Sequence, residues 1–110
     1  MIEEVLVSVV ERFNRHVQKN PAVLKELKDM TRSIEIHFTD GKTYHLALKD
    51  AHLSLPAEGD GAKADVKITT DSKTFEGLVN KDIGPMKALF TRKLFIDATL
   101  EDKLLLRRLF

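Results

Sequence analysis

The chain contains no cysteine, which removes disulfides, thiolate catalysis and cysteine-ligated metals together. No run of apolar residues approaches the ~20 needed to cross a bilayer as a helix. Neither sign of charge dominates, since 18 Lys plus Arg stand against 17 Asp plus Glu for a net charge of +1. Phosphate backbones are held by a large clustered positive excess, so nucleic acid is not expected as a partner. Repeats, low-complexity tracts and long linkers are missing, and so are G-x-S-x-G, the Walker loop, H-E-x-x-H and G-x-G-x-x-G. Gly59-Asp60-Gly61 lacks the following helix that a phosphate cradle requires. The expectation is a protein that is not an enzyme, with no catalytic residues, cofactor or metal. Met1-Ile2-Glu3-Glu4 is acidic, unlike the basic start of a signal peptide. Arg108-Leu109-Phe110 is not a peroxisomal Ser-Lys-Leu address. A cytoplasmic location is expected.

What is present fits one globular domain over 1–110, with 43% hydrophobic and 32% charged residues. Ile2, Val5, Leu6, Val9, Val10, Phe13 and Val17 recur at helical spacing. Asn20-Pro21 ends that helix and starts a shorter one carrying Val23, Leu24 and Leu27. From Ser33 to Leu48 the period becomes two: Ile34, Ile36 and Phe38, then Tyr44, Leu46 and Leu48, alternate with polar or small neighbours. A three-residue loop, Thr39 to Gly41, pairs Ile36 with Tyr44 and Ile34 with Leu46, keeping one face apolar, with Gly41 expected in the left-handed region. Ala51, Leu53 and Leu55 suggest a third strand, and Ala57 to Lys63 a polar turn. Val66 and Ile68 mark the next strand, and Asp71 or Ser72 can cap a helix presenting Phe75, Leu78 and Val79. Gly84-Pro85 stops one helix and starts another with Met86, Leu89 and Phe90. Leu94 and Ile96 form a last strand, and Leu100 to Phe110 a terminal helix. This order predicts an α+β fold, a five-stranded, mainly antiparallel sheet with helices on one face.

Two constellations bear on chemistry. His37, His45 and Glu35 share the outward face of the hairpin, Glu35 opposite His45, but supply too few ligands for a closed metal site. A charged cross-strand pair on a solvated face accounts for them. The terminal helix is apolar around most of its circumference: Leu100 and Leu104 lie together while Leu105, Leu106, Leu109 and Phe110 spread over other directions. Such a helix meets apolar material on more than one side, either a ligand or a homodimer partner. Lys87, Arg92, Lys93, Lys103, Arg107 and Arg108 cluster nearby, as a solvated face or as a surface for anionic lipid head groups or coenzyme A phosphates.

The second half resembles the sterol carrier protein type 2 family of lipid-binding domains. The resemblance is carried by Ala64-Asp65 followed by Ile68-Thr69, by Phe75 and Leu78, by Pro85, Ala88 and Phe90, by Lys93-Leu94-x-Ile96, and by Leu100, Leu104 and Leu109. Thr91-Arg92 stand where the family commonly has Gln-Gly, its Gln contacting the ligand, and Ala98 stands where it often has Gly. The resemblance implies an apolar tunnel between sheet and helices. It also implies non-covalent binding, with transfer or shielding, of a fatty acid, fatty acyl-CoA or sterol-like molecule, and at most peripheral membrane contact. Phe75, Leu78, Phe90, Leu94, Ile96, Leu100 and Leu104 are the expected ligand-binding residues, with Arg92 and Lys103 at the head group. A dimerisation or scaffold module with a filled core is the alternative.

Overall fold

The computed structural model describes residues 2–59 and 63–109, the side chains of residues 108 and 109 excepted. Helix α1 (Ile2–Lys19) buries Leu6, Val10, Phe13 and Val17, the stripe its spacing marks out. Glu3 and Glu4 in its first turn and Lys19 in its last complement the helix dipole. Asn20 caps α2 (Pro21–Leu27) by accepting from the Val23 N–H at 3.4 Å, with Pro21 at the first helical position.

Strands β1 (Thr31–Phe38) and β2 (Thr43–Lys49) pair in the expected register, Ile36 opposite Tyr44 and Ile34 opposite Leu46. Gly41 departs from expectation. The loop closes with its N–H on the Phe38 carbonyl at 3.1 Å, and no residue from Thr39 to Lys42 has a positive φ. The third strand is also shorter than its alternation suggested. Asp50 and Ala51, at φ 54° and 60°, form a two-residue hairpin link of type I′ character. Beyond it β3 (His52–Leu53) ends almost at once, and Leu55 turns out to solvent. Inside the stretch read as a polar turn, β4 (Ala57–Glu58) returns to pair with β2.

Strand β5 (Val66–Thr70) runs parallel to β1, and β6 (Leu94–Asp97) antiparallel to β5. The sheet order is β3-β2-β1-β5-β6, with β4 attached to β2. The fold is therefore α+β with a mixed sheet. Helices α3 (Ser72–Val79), α4 (Pro85–Phe90) and α5 (Leu100–Leu109) complete the chain. The face carrying Ile36, Phe38, Tyr44, Leu46, Leu48 and Val66 is buried; the opposite face, with His37, Ala47 and Lys67, stays open.

The main core joins α1 and α2 to β1, β2 and β3, and takes Leu105 from α5. Phe38 is fully buried and meets Tyr44 and Phe75 edge-on, at centroid distances of 6.0 and 5.4 Å, an edge-to-face geometry that aromatic quadrupoles favour. Polar side chains finish the assembly. Asn14 of α1 donates to the Leu53 carbonyl at 2.9 Å and accepts from its N–H at 2.8 Å. One amide thus satisfies both outward backbone groups of a sheet-edge residue that would otherwise template another strand. Tyr44 donates its phenol hydrogen to the Glu3 carboxylate. Arg32 Nε donates to both oxygens of the buried Asp102, at 3.2 and 3.1 Å, tying β1 to α5.

Two outcomes follow from these contacts. Burial, together with the Glu3 carboxylate, pushes the Tyr44 phenol up to about 12. Because the folded value is raised, this contribution to stability is intact below pH 10 and is lost as pH rises from 10 through 12. Tyr44 is the single tyrosine and there is no tryptophan, so a near-ultraviolet absorbance titration reads it alone and should show a midpoint near 12 folded and near 10 in urea. Separately, Arg32→Met leaves the Asp102 carboxylate buried without its ion-pair partner and should cost about 2 kcal/mol in denaturant titrations. Adding Asp102→Leu should recover most of that loss.

Candidate functional site

The second half of the sheet is covered by short helices whose ends are closely specified. Asp71 caps α3, accepting from the Thr74 N–H and from its hydroxyl, both at 2.7 Å. The Thr74 hydrogen bonds hold the Asp71 carboxyl below the usual carboxylate range. At the other end Lys81 adopts φ 64°, its N–H donates to the Leu78 carbonyl at 3.2 Å, and the Asp82 N–H donates to the Gly77 carbonyl at 2.8 Å. This is a Schellman closure. Ile83 then packs so tightly on Gly77 that a Cβ there would lie 2.5 Å from its Cδ1. Gly84 and Pro85 start α4. It closes the same way, with Arg92 at φ 60°, the Arg92 N–H on the Leu89 carbonyl at 3.1 Å and the Lys93 N–H on the Ala88 carbonyl at 2.9 Å.

Between these closures α4 is turned inside out. Its buried residue is Ala88, while Phe90 is 89% exposed, Met86 67% and Leu89 39%. Met86, Lys87, Leu89 and Phe90 line an open groove of about 560 Å³. A hydrophobic side chain of this size gains about 1.5–3 kcal/mol when fully buried, so three facing water from one six-residue helix form a surface that favours an apolar cover. Helix α5 repeats the theme: Leu105 and Asp102 are buried, whereas Leu100 and Leu104 are 73% and 51% exposed.

The expected ligand-binding residues divide accordingly. Leu94 is buried on the inner face of β6, and Phe75, Leu78 and Ile96 are half-buried. Phe90, Leu100 and Leu104 stand open to solvent, as do Arg92 and Lys103. Thr91 turns its hydroxyl back onto the Lys87 carbonyl at 2.8 Å. Leu109 and Phe110, whose side chains were expected to add to the apolar end of α5, lie outside the described side chains. Sequence reasoning took Met86 and Leu89 for ordinary helix-face residues; with Ala88 as the inward residue, they join Phe90 on the outward side.

A second groove, of about 330 Å³, lies by the 54–64 connection, with Ser33, His45, Ala47, Leu55 and Lys63 in its lining. Glu35 faces His45 across the strands as expected. Among the described residues no three metal-ligating side chains come together.

Residues 10–101 match the family described as the SCP-2 sterol transfer family. The chain belongs to that family. The match reaches well into the N-terminal half, beyond the residues from Ala64 onward that carry the resemblance in sequence. Among solved structures, the Aedes aegypti sterol carrier protein-2 in complex with the C16 fatty acid palmitate is similar over 96% of this chain and 91% of that one, with 17% identity and TM-score 0.62. The sterol carrier protein domain 2 of Helicoverpa armigera is similar over 93% and 82%, with 16% identity and TM-score 0.63. The inverting sec-alkylsulfatase Pisa1 from Pseudomonas sp. is similar over 71% of this chain, with 16% identity and TM-score 0.60, and there the chain spans 12% of the enzyme's length. At these identities the likeness is one of fold. No curated protein matches the sequence.

Arg92 occupies the left-handed C′ position of α4, where a glycine would incur no Cβ penalty. Arg92→Gly and Lys81→Gly should each raise stability by about 0.5–1 kcal/mol in urea unfolding, an effect that a right-handed backbone at either position would reverse.

Proposed function

We propose that this protein binds a lipid non-covalently through the apolar surface of α4 and α5, as a cytoplasmic carrier and not as an enzyme. The observation that carries the reading is the exposure of Met86, Leu89 and Phe90 side by side on α4, an apolar surface that marks an interaction site. The palmitate complex of the Aedes aegypti relative supports a fatty acid as the ligand class, and a fatty acyl-CoA presents the same chain. In this reading an acyl chain covers Phe90, Leu100 and Leu104 and reaches the half-buried Phe75, Leu78 and Ile96, with Leu94 behind them. The gain is about 0.8 kcal/mol per methylene buried. In this reading a tunnel between the helices and the sheet forms only as the chain enters. Lys87 and Arg92 receive a carboxylate or phosphate at the groove, and Lys103 lies on the helix beyond β6. The closed Thr91 hydroxyl contributes no donor to the cargo, which suits a ligand recognised by its chain more than by a ring hydroxyl. Delivery of that ligand to an acceptor is the function the family's sterol-transfer description suggests.

The test is displacement of a fluorescent fatty acid from delipidated protein, with native mass spectrometry of the complex. Phe90→Asp should weaken binding about tenfold or more and leave the melting temperature unchanged, because Phe90 touches little of the fold. Absence of any displacement at micromolar ligand overturns the reading. A dimer that lipid leaves intact would favour a scaffold instead.

A further inference from the structure

We infer that α4 is a membrane-docking element, by which the protein settles on an anionic lipid bilayer. The inference goes beyond cargo binding, since it concerns the surface on which the whole protein rests. Three apolar side chains project from one face of a helix whose inward residue is Ala88, the arrangement of a short wedge that can enter the boundary between head groups and acyl chains. Cations border that wedge at both ends. From Lys81 to Lys93 the chain carries Lys81, Lys87, Arg92 and Lys93 against Asp82 alone, a local excess of three in a chain whose net charge is +1. All four are exposed. The remainder of the molecule is therefore net acidic, and the positive field is concentrated where the apolar residues are.

Charge also decides between occupants of the surface. A two-fold contact with a second copy would set this cationic rim against itself, because such interfaces are self-complementary, and like charges in apposition oppose association. A leaflet containing anionic lipid presents the opposite sign to the cations and an apolar interior to Met86, Leu89 and Phe90. The backbone holds the element ready. Schellman bonds close α3 at the start of the 81–93 segment and α4 at its end, so docking requires no folding of α4.

The experiment is co-sedimentation of the full chain with vesicles of phosphatidylcholine, with and without phosphatidylserine, alongside fatty-acid displacement in vesicle-free buffer. Binding is expected on the phosphatidylserine vesicles, weakening as salt screens it. Lys81→Glu/Lys93→Glu should lower that partitioning about tenfold or more and displace fatty acid as the wild type does. Phe90→Asp should abolish sedimentation with either vesicle. Vesicle binding by a chain that takes up no free fatty acid would uphold docking and sink the cargo reading. Fatty-acid binding without vesicle association would overturn docking alone. Docking is equally overturned if the double charge reversal leaves vesicle binding intact, or if sedimentation equilibrium shows a dimer that Phe90→Asp dissociates while vesicles remain unbound.

Discussion

Strand β1 is bonded along both edges, antiparallel to β2 and parallel to β5, and its alternation sets the facing of the central strands. Because side chains alternate with period two, a slip of one residue on either edge would turn Ile34, Ile36 and Phe38 from the helices to the solvent. Their pairing with Leu46, Tyr44, Val66 and Ile68 makes one apolar face across three strands. Phe38 then joins the halves of the chain, touching Tyr44 from the hairpin and Phe75 from α3. Arg32, two residues before Ile34 on the same face, reaches Asp102 on α5. The strand that organises the sheet thus also anchors the terminal helix, and it does so through a charge pair that forces the polar Asp102 inward.

That inward Asp102 explains why α5 was only partly legible. Its sequence is apolar nearly all round, and hydrophobicity alone would bury Leu100 and Leu104. The ion pair and Leu105 choose the face instead, and a partner seventy residues away in sequence leaves no local signal. By contrast α1, α2 and the β1–β2 register were readable, because each rests on a period, a cap or a parity argument contained in a short stretch. The Asp50-Ala51 link was hidden since Ala is an unusual residue at φ 60°, and a two-residue strand such as β4 is too short to show alternation. Asn14 looked like a polar residue on a helix; its part in closing the edge of β3 depends on where α1 crosses the sheet.

For the candidate site, the spacing of apolar residues located the helices α3, α4 and α5 and the strand β6 but not the exposure of their side chains. Phe90 and Ala88 are two residues apart on a helix of less than two turns, so either could have faced the sheet. The close seating of α4 on β6 favours the small side chain inward, where Ala88 is fully buried. The bulk of Met86, Leu89 and Phe90 goes outward. A core that needed only stability would place these the other way, since each exposed apolar side chain forgoes about 1.5–3 kcal/mol.

The same preference appears at the helix ends. A glycine at position 81 or 92 would relieve a left-handed backbone, yet Lys and Arg stand there. Each costs up to about 1 kcal/mol relative to glycine. Two of the four left-handed non-glycine positions among the described residues, Lys81 and Arg92, are cations that border α4 and its exposed Met86, Leu89 and Phe90, an arrangement that fits the proposed ligand, apolar in bulk and anionic at one end. Lipids have that chemistry whether met singly or as a leaflet. The apolar face of α4 lies outside the main core, so the β1-centred sheet carries the stability while α4, in the proposed reading, carries the recognition.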